Sequence, residues 1–282
     1  MWGGQLGPLP RTPLETVWDY MTATLKTPSS AHAAVDAAPL VEELMQRLDP
    51  SPEAAFRSWI QSDSFPCVGA KAALVRDRIT VVDLGDITEP TSDVELYKAL
   101  RAYTETLERD TPAVQSFAAI FSQSPALTEV EFEEALWQRL QCLHNFDAVL
   151  GEEWAPDTSR DPSSAHFSMS VGGEAYFVVG LHPHASRPAR CFRHPVLVFN
   201  SHDQFERMRE DGRYDQMKGI IRKRDAALAG GINPMLDDFG ESSEARQYSG
   251  RRLADGWKCP FSTKLDVDVD LKTFEGNNPK GR

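Results

Sequence analysis

The sequence predicts an α+β fold: a helix-rich single domain with a small, mainly antiparallel sheet. Helical periodicity dominates the first half of the chain, strand-like runs lie mainly in the second half, and the two do not alternate regularly as they do in βαβ proteins. The chain has 282 residues, of which 41% are hydrophobic and 26% charged, and this suffices for a sizeable core. We expect the domain to cover residues 14–265, between a flexible N-terminal segment at 1–13 and a flexible tail at 266–282.

Helical spacing of apolar residues and N-terminal capping residues locate the helices. Apolar residues recur at helical spacing over residues 40–48, and Ser51 with Pro52 fits the N-cap and first position of the next helix. A helix is expected after each of three capping boxes, and the helix after the third box should cover 202–210. Another helix is expected over 214–228. The three capping pairs are Ser92 with Glu95, Thr128 with Glu131, and Ser201 with Gln204.

Three runs rich in β-branched and aromatic residues predict strands, at 78–84, 174–181 and 195–200. The glycine pair at 172–173 indicates a hairpin turn that joins the second run to the HFSMSV segment before it. Residues 151–164 are polar and contain prolines, so we expect a long loop there.

Charge and hydropathy exclude several classes of protein. Lys and Arg number 30 against 42 Asp and Glu, and a net charge of -12 argues against nucleic acid or an anionic membrane as the main partner. The longest apolar run has about six residues, far below the roughly 20 that a membrane helix needs. The N-terminus has neither the basic nor the apolar region of a secretory signal, so a cytoplasmic location is expected. There the four cysteines, which form no CxxC pair, should be reduced.

The segment GLHPHASRPARCF is the densest group of chemically useful residues. It places His182 and His184 just after a predicted strand, and Arg187 and Arg190 follow within eight residues of His182. An imidazole can bind haem iron, and guanidinium groups can bind the haem propionates. A polar loop that satisfies its own backbone is the alternative. The two histidines also resemble the iron ligands of cupin oxygenases, but no carboxylate follows before Asp203.

Two cysteines lie in mirrored surroundings. Cys67 follows Phe-Pro and precedes an Ala-rich, helical segment, whose N-terminus would lower the pKa of the thiol. Cys259 is followed by Pro-Phe, and Cys-Pro is a setting in which thiolates bind haem. Each can equally be a small buried apolar residue, which is the interpretation we favour for Cys142 and Cys191.

Residues 233–252 are rich in carboxylates that could accept hydrogen bonds from a guanidinium or ammonium substrate. The alternative is a solvated loop whose acids offset a helix dipole. The basic run at 220–225 is interpreted as the exposed face of a helix. The candidate substrate-binding carboxylates are Asp237, Asp238, Glu241 and Glu244.

Five of these motifs together resemble the YqcI/YcgG family, also described as FPC/CPF motif proteins. In chain order, from about residue 63 to 261, they read FPC, GLHPHASRPARCF, FNSHDQFERMRE, NPMLDDFGESSEARQYSGR and WKCPF. Characterised members of that family are haem-dependent enzymes that N-hydroxylate guanidine compounds. One acts on arginine in D-cycloserine biosynthesis, and another acts on enduracididine in guanitoxin biosynthesis.

The resemblance implies a haem b monooxygenase. It would convert L-arginine to Nω-hydroxy-L-arginine, or act on a related guanidino amino acid, in specialised metabolism such as antibiotic biosynthesis. It would use O2 with an electron donor, or peroxide. A haem-binding regulator or carrier without turnover, based on Cys259, and a non-haem iron oxygenase, based on His182 and His184, are the alternatives.

Site residues follow from the resemblance in the same way. His182 is the first choice for the axial ligand of the haem iron, and Cys67 is the next. Arg187 and Arg190 are expected at the propionates, unless one of them bridges to a carboxylate of 233–252. Further candidate iron ligands are Cys259, His184 and His202.

Overall fold

The computed structural model describes residues 50–109, 111, 113–231 and 240–264, and the elements from Pro52 onward belong to one unit. The helices in these residues are α1 (Pro52–Gln61), α2 (Val68–Val75), α3 (Asp93–Thr106), α4 (Glu129–Leu150), α5 (His202–Glu210), α6 (Arg213–Ala229) and α7 (Ala245–Tyr248). The strands are β1 (Ile79–Asp83), β2 (Ser116–Ile120), β3 (Met169–Val171), β4 (Glu174–Leu181) and β5 (Val196–Ser201). Short 3-10 helices lie at Pro90–Ser92 and Pro188–Arg190.

The five strands form one sheet in the order β1-β2-β5-β4-β3. Only the β1–β2 pair is parallel; the other three pairs are antiparallel. The predicted α+β class with a small, mainly antiparallel sheet is therefore confirmed. The hairpin at 172–173 is also confirmed, because Val171 pairs with Glu174 across it. The predicted helix at 40–48 and the predicted domain ends at 13 and 265 lie outside the described residues.

Of the five described strands, β2 is the one that the sequence analysis missed. All five of its residues are buried, so the segment shows no alternation of apolar and polar side chains. Two adjacent alanines, Ala118 and Ala119, add to the ambiguity. A short, fully buried apolar run cannot be assigned to strand or helix from periodicity alone.

Of the three predicted capping boxes, one is confirmed. Thr128 and Glu131 bond reciprocally at the start of α4. The boxes at Ser92 and Ser201 were wrong, although helices start beside both residues. The hydroxyl of Ser92 donates instead to the carbonyl of Leu84, and that of Ser201 donates to Glu174 Oε1 at 2.5 Å. Both serines are buried, and a buried hydroxyl bonds to whatever acceptor the tertiary structure provides.

The sheet has two faces with different contents, because side chains alternate along each strand. The packed face carries Phe117, Tyr176 and Phe199, which are fully buried with apolar residues of α3 and α4. The cavity face carries Ala118 and Leu181 and is covered by residues of α1 and α2. In the described part of the chain, no helix combines the length and apolar character needed to cross a membrane.

Candidate functional site

A cavity of about 990 Å³, measured out to its open mouth, lies on the cavity face of the sheet. We call it the sheet cavity. Four strands form its floor, and its walls come from α1, the FPC segment, the 3-10 helix at Pro188–Arg190 and α6. Its floor residues are Ile79, Ser116, Val179, Leu181, Val198 and Asn200.

Aromatic rings form one wall of the sheet cavity. Trp59 of α1 lies with its ring centroid 4.6 Å from that of Phe65 and 5.3 Å from that of Phe192. Phe56, one turn earlier, packs edge-on against Phe192 at 5.3 Å. These ring contacts join α1, the FPC segment and Phe192 into one apolar wall.

Cys67 lines the sheet cavity and caps α2. Its Sγ accepts a hydrogen bond from the backbone N–H of Ala70 at 3.4 Å. Burial raises the pKa of the Cys67 thiol, while the N–H groups of Ala70 and Gly69 and the charge of Arg190 oppose this rise. The free thiol is therefore protonated at neutral pH, but a bound metal ion deprotonates a coordinating thiol outright.

Arg190 brings a positive charge to the sheet cavity. Its Nη1 donates to the carbonyl of Gly180 at 3.0 Å and to that of Tyr248 at 3.4 Å, and its Nη2 donates to the carbonyl of Gln247 at 3.3 Å. Burial lowers the pKa of Arg190 to about 10, so the group stays charged at neutral pH. Among the described residues, no carboxylate lies within ion-pair distance of it.

Arg187 forms an ion pair with Asp225 of α6, where the sheet cavity meets that helix. Its Nη2 also donates to the carbonyl of Gly231 at 3.2 Å. Arg187 thus forms a bridge, as the alternative prediction allowed, but the described partner lies outside residues 233–252. Asp225 is buried, so the interpretation of 220–225 as an exposed helix face was wrong for this residue.

His182 lies on the packed face, on the opposite side of the sheet from Cys67. It follows Leu181, which lines the sheet cavity, and the alternation of β4 turns the His182 ring towards α4. The ring stacks on Phe132 with centroids 4.4 Å apart, and its buried Nδ1 has no hydrogen-bond partner among the described residues. Burial lowers the pKa of His182 to about 4, so the ring is neutral at pH 7. The role of His182 as iron ligand stays a prediction.

The other predicted histidines have partners of their own. His184 lies with its Nδ1 2.8 Å from the carbonyl of Leu127. His202 is buried, with its Nε2 3.2 Å from Glu206 Oε1 and its Nδ1 3.7 Å from Glu244 Oε1. In the part of the chain that the structure describes, no three His, Cys, Asp or Glu side chains are grouped so as to hold a metal ion.

Cys259 and the predicted carboxylates lie away from the sheet cavity, as far as they are described. Cys259 lines a separate groove with Glu241 and Trp257, and burial raises its pKa to about 12. Glu244 is buried and lies with its Oε2 3.4 Å from the hydroxyl of Tyr248, which can donate to it. Asp237 and Asp238 fall outside the described residues.

Sequence reasoning missed three polar residues of the sheet cavity: Asp225, Ser116 and Asn200. The Ser116 hydroxyl donates to Asn200 Oδ1 at 2.7 Å, across the β2–β5 pair. Asn200 is the second residue of the FNSHDQFERMRE motif, and this was the one signal that could have identified it. Ser116 belongs to the strand that was missed, and Asp225 lies 38 residues from Arg187 in the sequence.

The fold and the sheet cavity define an α+β protein with an aromatic, thiol-bearing cavity on one face of its sheet. The chain belongs to the YqcI/YcgG family, whose profile matches residues 56–262. Two proteins of Bacillus subtilis (strain 168), "Uncharacterized protein YcgG" and "Uncharacterized protein YqcI", are each 28% identical to it, over 212 and 211 residues. Each match covers 71% of this chain and 82% of the relative. No solved structure matches the chain.

Proposed function

We propose that this protein is a haem-dependent monooxygenase of the cytoplasm. It N-hydroxylates the guanidino group of L-arginine, or of a related guanidino amino acid, in the biosynthesis of a specialised metabolite. One observation supports this above all: the sheet cavity brings the thiol of Cys67 and the guanidinium of Arg190 together beside an aromatic wall.

The residues of the sheet cavity fit haem b. A porphyrin needs an apolar surface, an iron ligand and cations for its two propionates. Trp59 and Phe65 provide the surface, and Cys67 provides a sulfur ligand. Arg190 donates to three backbone carbonyls but has no carboxylate partner among the described residues, so its positive charge is available to a propionate. Arg187 adds a second cation, which it shares with Asp225.

We prefer Cys67 to His182 as the iron ligand because Cys67 lines the same cavity as the two arginines. The N–H of Ala70 and the charge of Arg190 both stabilise a thiolate at this position. When bound, the haem supplies the activation of dioxygen, which no amino-acid side chain can provide.

The chain itself contributes orientation and the exclusion of water. Val179, Val198 and the rings of Trp59 and Phe65 give the sheet cavity a mainly apolar lining. Such a lining strengthens every ionic contact inside it, because the effective dielectric constant is lower than in water. A guanidinium held there by a carboxylate keeps one orientation relative to the oxidising centre.

A hemin titration followed by the Soret band tests the cofactor. We expect the wild-type protein to bind hemin and Cys67→Ser to lose or shift the band, whereas His182→Asn and Cys259→Ser leave it unchanged. A wild-type protein that binds no hemin would overturn the proposal. A Soret band altered only in His182→Asn would identify His182 as the iron ligand. A band altered only in Cys259→Ser would place the haem in the groove that Cys259 lines.

Turnover is tested with L-arginine under air and a reductant, or with peroxide, by mass spectrometry for a product that has gained one oxygen atom. We expect Nω-hydroxy-L-arginine from the haem-loaded protein and none from the haem-free control. Hemin binding without any oxidised guanidine product would support the regulator or carrier instead. Iron without extractable porphyrin would support the non-haem oxygenase.

A further inference from the structure

Asp225 is a buried carboxylate in the wall of the sheet cavity. The residue is 6% exposed and lines the cavity wall contributed by α6. Its Oδ2 binds the guanidinium of Arg187, whereas its buried Oδ1 has no hydrogen-bond partner in the described part of the chain. A buried carboxylate oxygen without a donor is costly, and such a group in a cavity is typical of a site that a ligand completes.

We propose that Asp225 binds the guanidinium group of the substrate through Oδ1. This inference rests on the proposed function, and it replaces the carboxylates of 233–252 with a residue that the sequence did not identify. Arg187 already shows that this carboxylate accepts a guanidinium. Since Oδ2 is occupied, the substrate forms a single bond to Oδ1, and its remaining guanidinium nitrogens stay free to react.

The competing explanation is that Asp225 only neutralises Arg187. The two explanations differ for a ligand that has no positive charge on its side chain. L-Citrulline carries a urea group in place of the guanidinium and otherwise matches L-arginine. If Asp225 binds the ligand, the protein discriminates between the two compounds; if Asp225 only neutralises Arg187, it does not.

Calorimetric titration of L-arginine and L-citrulline into the full-length protein, with and without bound hemin, tests this. We expect the wild type to bind L-arginine at least about tenfold more tightly, because hydrogen bonds to charged groups are the stronger ones. Asp225→Asn should remove most of that preference. Two controls should keep it: Asp215→Asn, an exposed carboxylate on the same helix, and Glu241→Gln, in the groove of Cys259.

Equal affinity of the wild type for both compounds overturns the inference, as does an unchanged preference in folded Asp225→Asn. If Asp225→Asn does not fold, the pair is removed together as Arg187→Gln/Asp225→Asn, which leaves no uncompensated buried charge. This double variant is compared with the wild type and should lose the preference for L-arginine; a preference that persists in it would overturn the inference. Failure here is distinguishable from failure of the proposed function, because the hemin titration is a separate measurement.

Discussion

The two faces of the sheet belong to the same strands but differ in how closely the covering helices pack on them. One face is tightly packed, and the other leaves a cavity. On the packed face, Phe117 and Phe199 are fully buried beneath α3 and α4. On the cavity face, the neighbouring positions of β2 and β5 carry the smaller Ser116, Val198 and Asn200. Because side chains alternate along a strand, the size of every second residue decides whether a face closes or keeps a cavity.

The end of β4 shows how this alternation decides which face of the sheet a side chain reaches. Leu181 lines the sheet cavity, and His182, one residue later, stacks on Phe132 on the packed face. A shift of one residue moves a side chain to the other face of a sheet. For a histidine at the end of a strand, the face of the sheet on which it lies must therefore be known before it can be proposed as a ligand.

The largest effect is expected from opening the packed face. Phe132 of α4 is fully buried and supports the His182 ring. Phe132→Ala should lower the free energy of unfolding by about 3–5 kcal/mol, because a large cavity replaces the ring. Urea denaturation measures this. Val149→Ala, at a position of the same helix that is 67% exposed, is the control and should change it by less than about 0.5 kcal/mol. A loss below about 1 kcal/mol in Phe132→Ala would show that this face is not closely packed.

The second effect is a pH dependence that originates at His182. Its pKa is lowered from 6.5 to about 4 in the folded protein, mainly by burial, with Glu129 opposing and His184 adding to the shift. Between these two pH values the unfolded chain binds more protons than the folded chain, so stability falls as pH falls. His182→Gln has no ring to protonate, so its free energy of unfolding should fall by up to about 3 kcal/mol less than that of the wild type over this pH range.

Urea unfolding between pH 7.5 and 4.5 on the wild type, His182→Gln and His166→Gln measures this dependence. His166 is exposed, and its variant should follow the wild-type curve. Parallel curves for the wild type and His182→Gln would mean that His182 is not held neutral by the packed face.

The sequence was informative wherever local chemistry decides the structure. The Thr128–Glu131 capping box and the strand at 174–181 could both be predicted, since each depends on neighbours in the chain. The site was predicted less completely, because its polar residues meet only after folding. Asp225 pairs with Arg187, which is 38 residues away in the sequence. Ser92 does not cap its helix, because its hydroxyl donates to the carbonyl of Leu84 instead.

The third prediction compares one substitution on both faces. Val178 of β4 is fully buried on the packed face, and Val198 of β5 lines the sheet cavity. Val178→Phe should lower the free energy of unfolding by about 2–3 kcal/mol through overpacking, whereas Val198→Phe should cost less than about 1 kcal/mol because its ring enters open space. Val198→Phe should also weaken hemin binding. Equal losses of stability would contradict the difference between the faces.

The smallest expected effects concern two glycines, and they have opposite signs. A Cβ on Gly180 would lie 2.8 Å from a ring carbon of Phe132 and 2.9 Å from the carbonyl oxygen of Tyr248, so the backbone of α7 would have to move. Gly180→Ala should therefore lower the free energy of unfolding by about 1–2 kcal/mol.

Gly219, within α6, has nothing within 4 Å of the same position. Gly219→Ala should raise the free energy of unfolding by about 0.5–1 kcal/mol, since alanine loses less conformational entropy in a helix. Thermal and urea unfolding of both variants check the pair. If Gly180→Ala were also stabilising, α4 and α7 would not pack closely against the end of β4. Close packing of Phe132 and Tyr248 at Gly180 would then no longer explain why Leu181 and His182 lie on opposite faces.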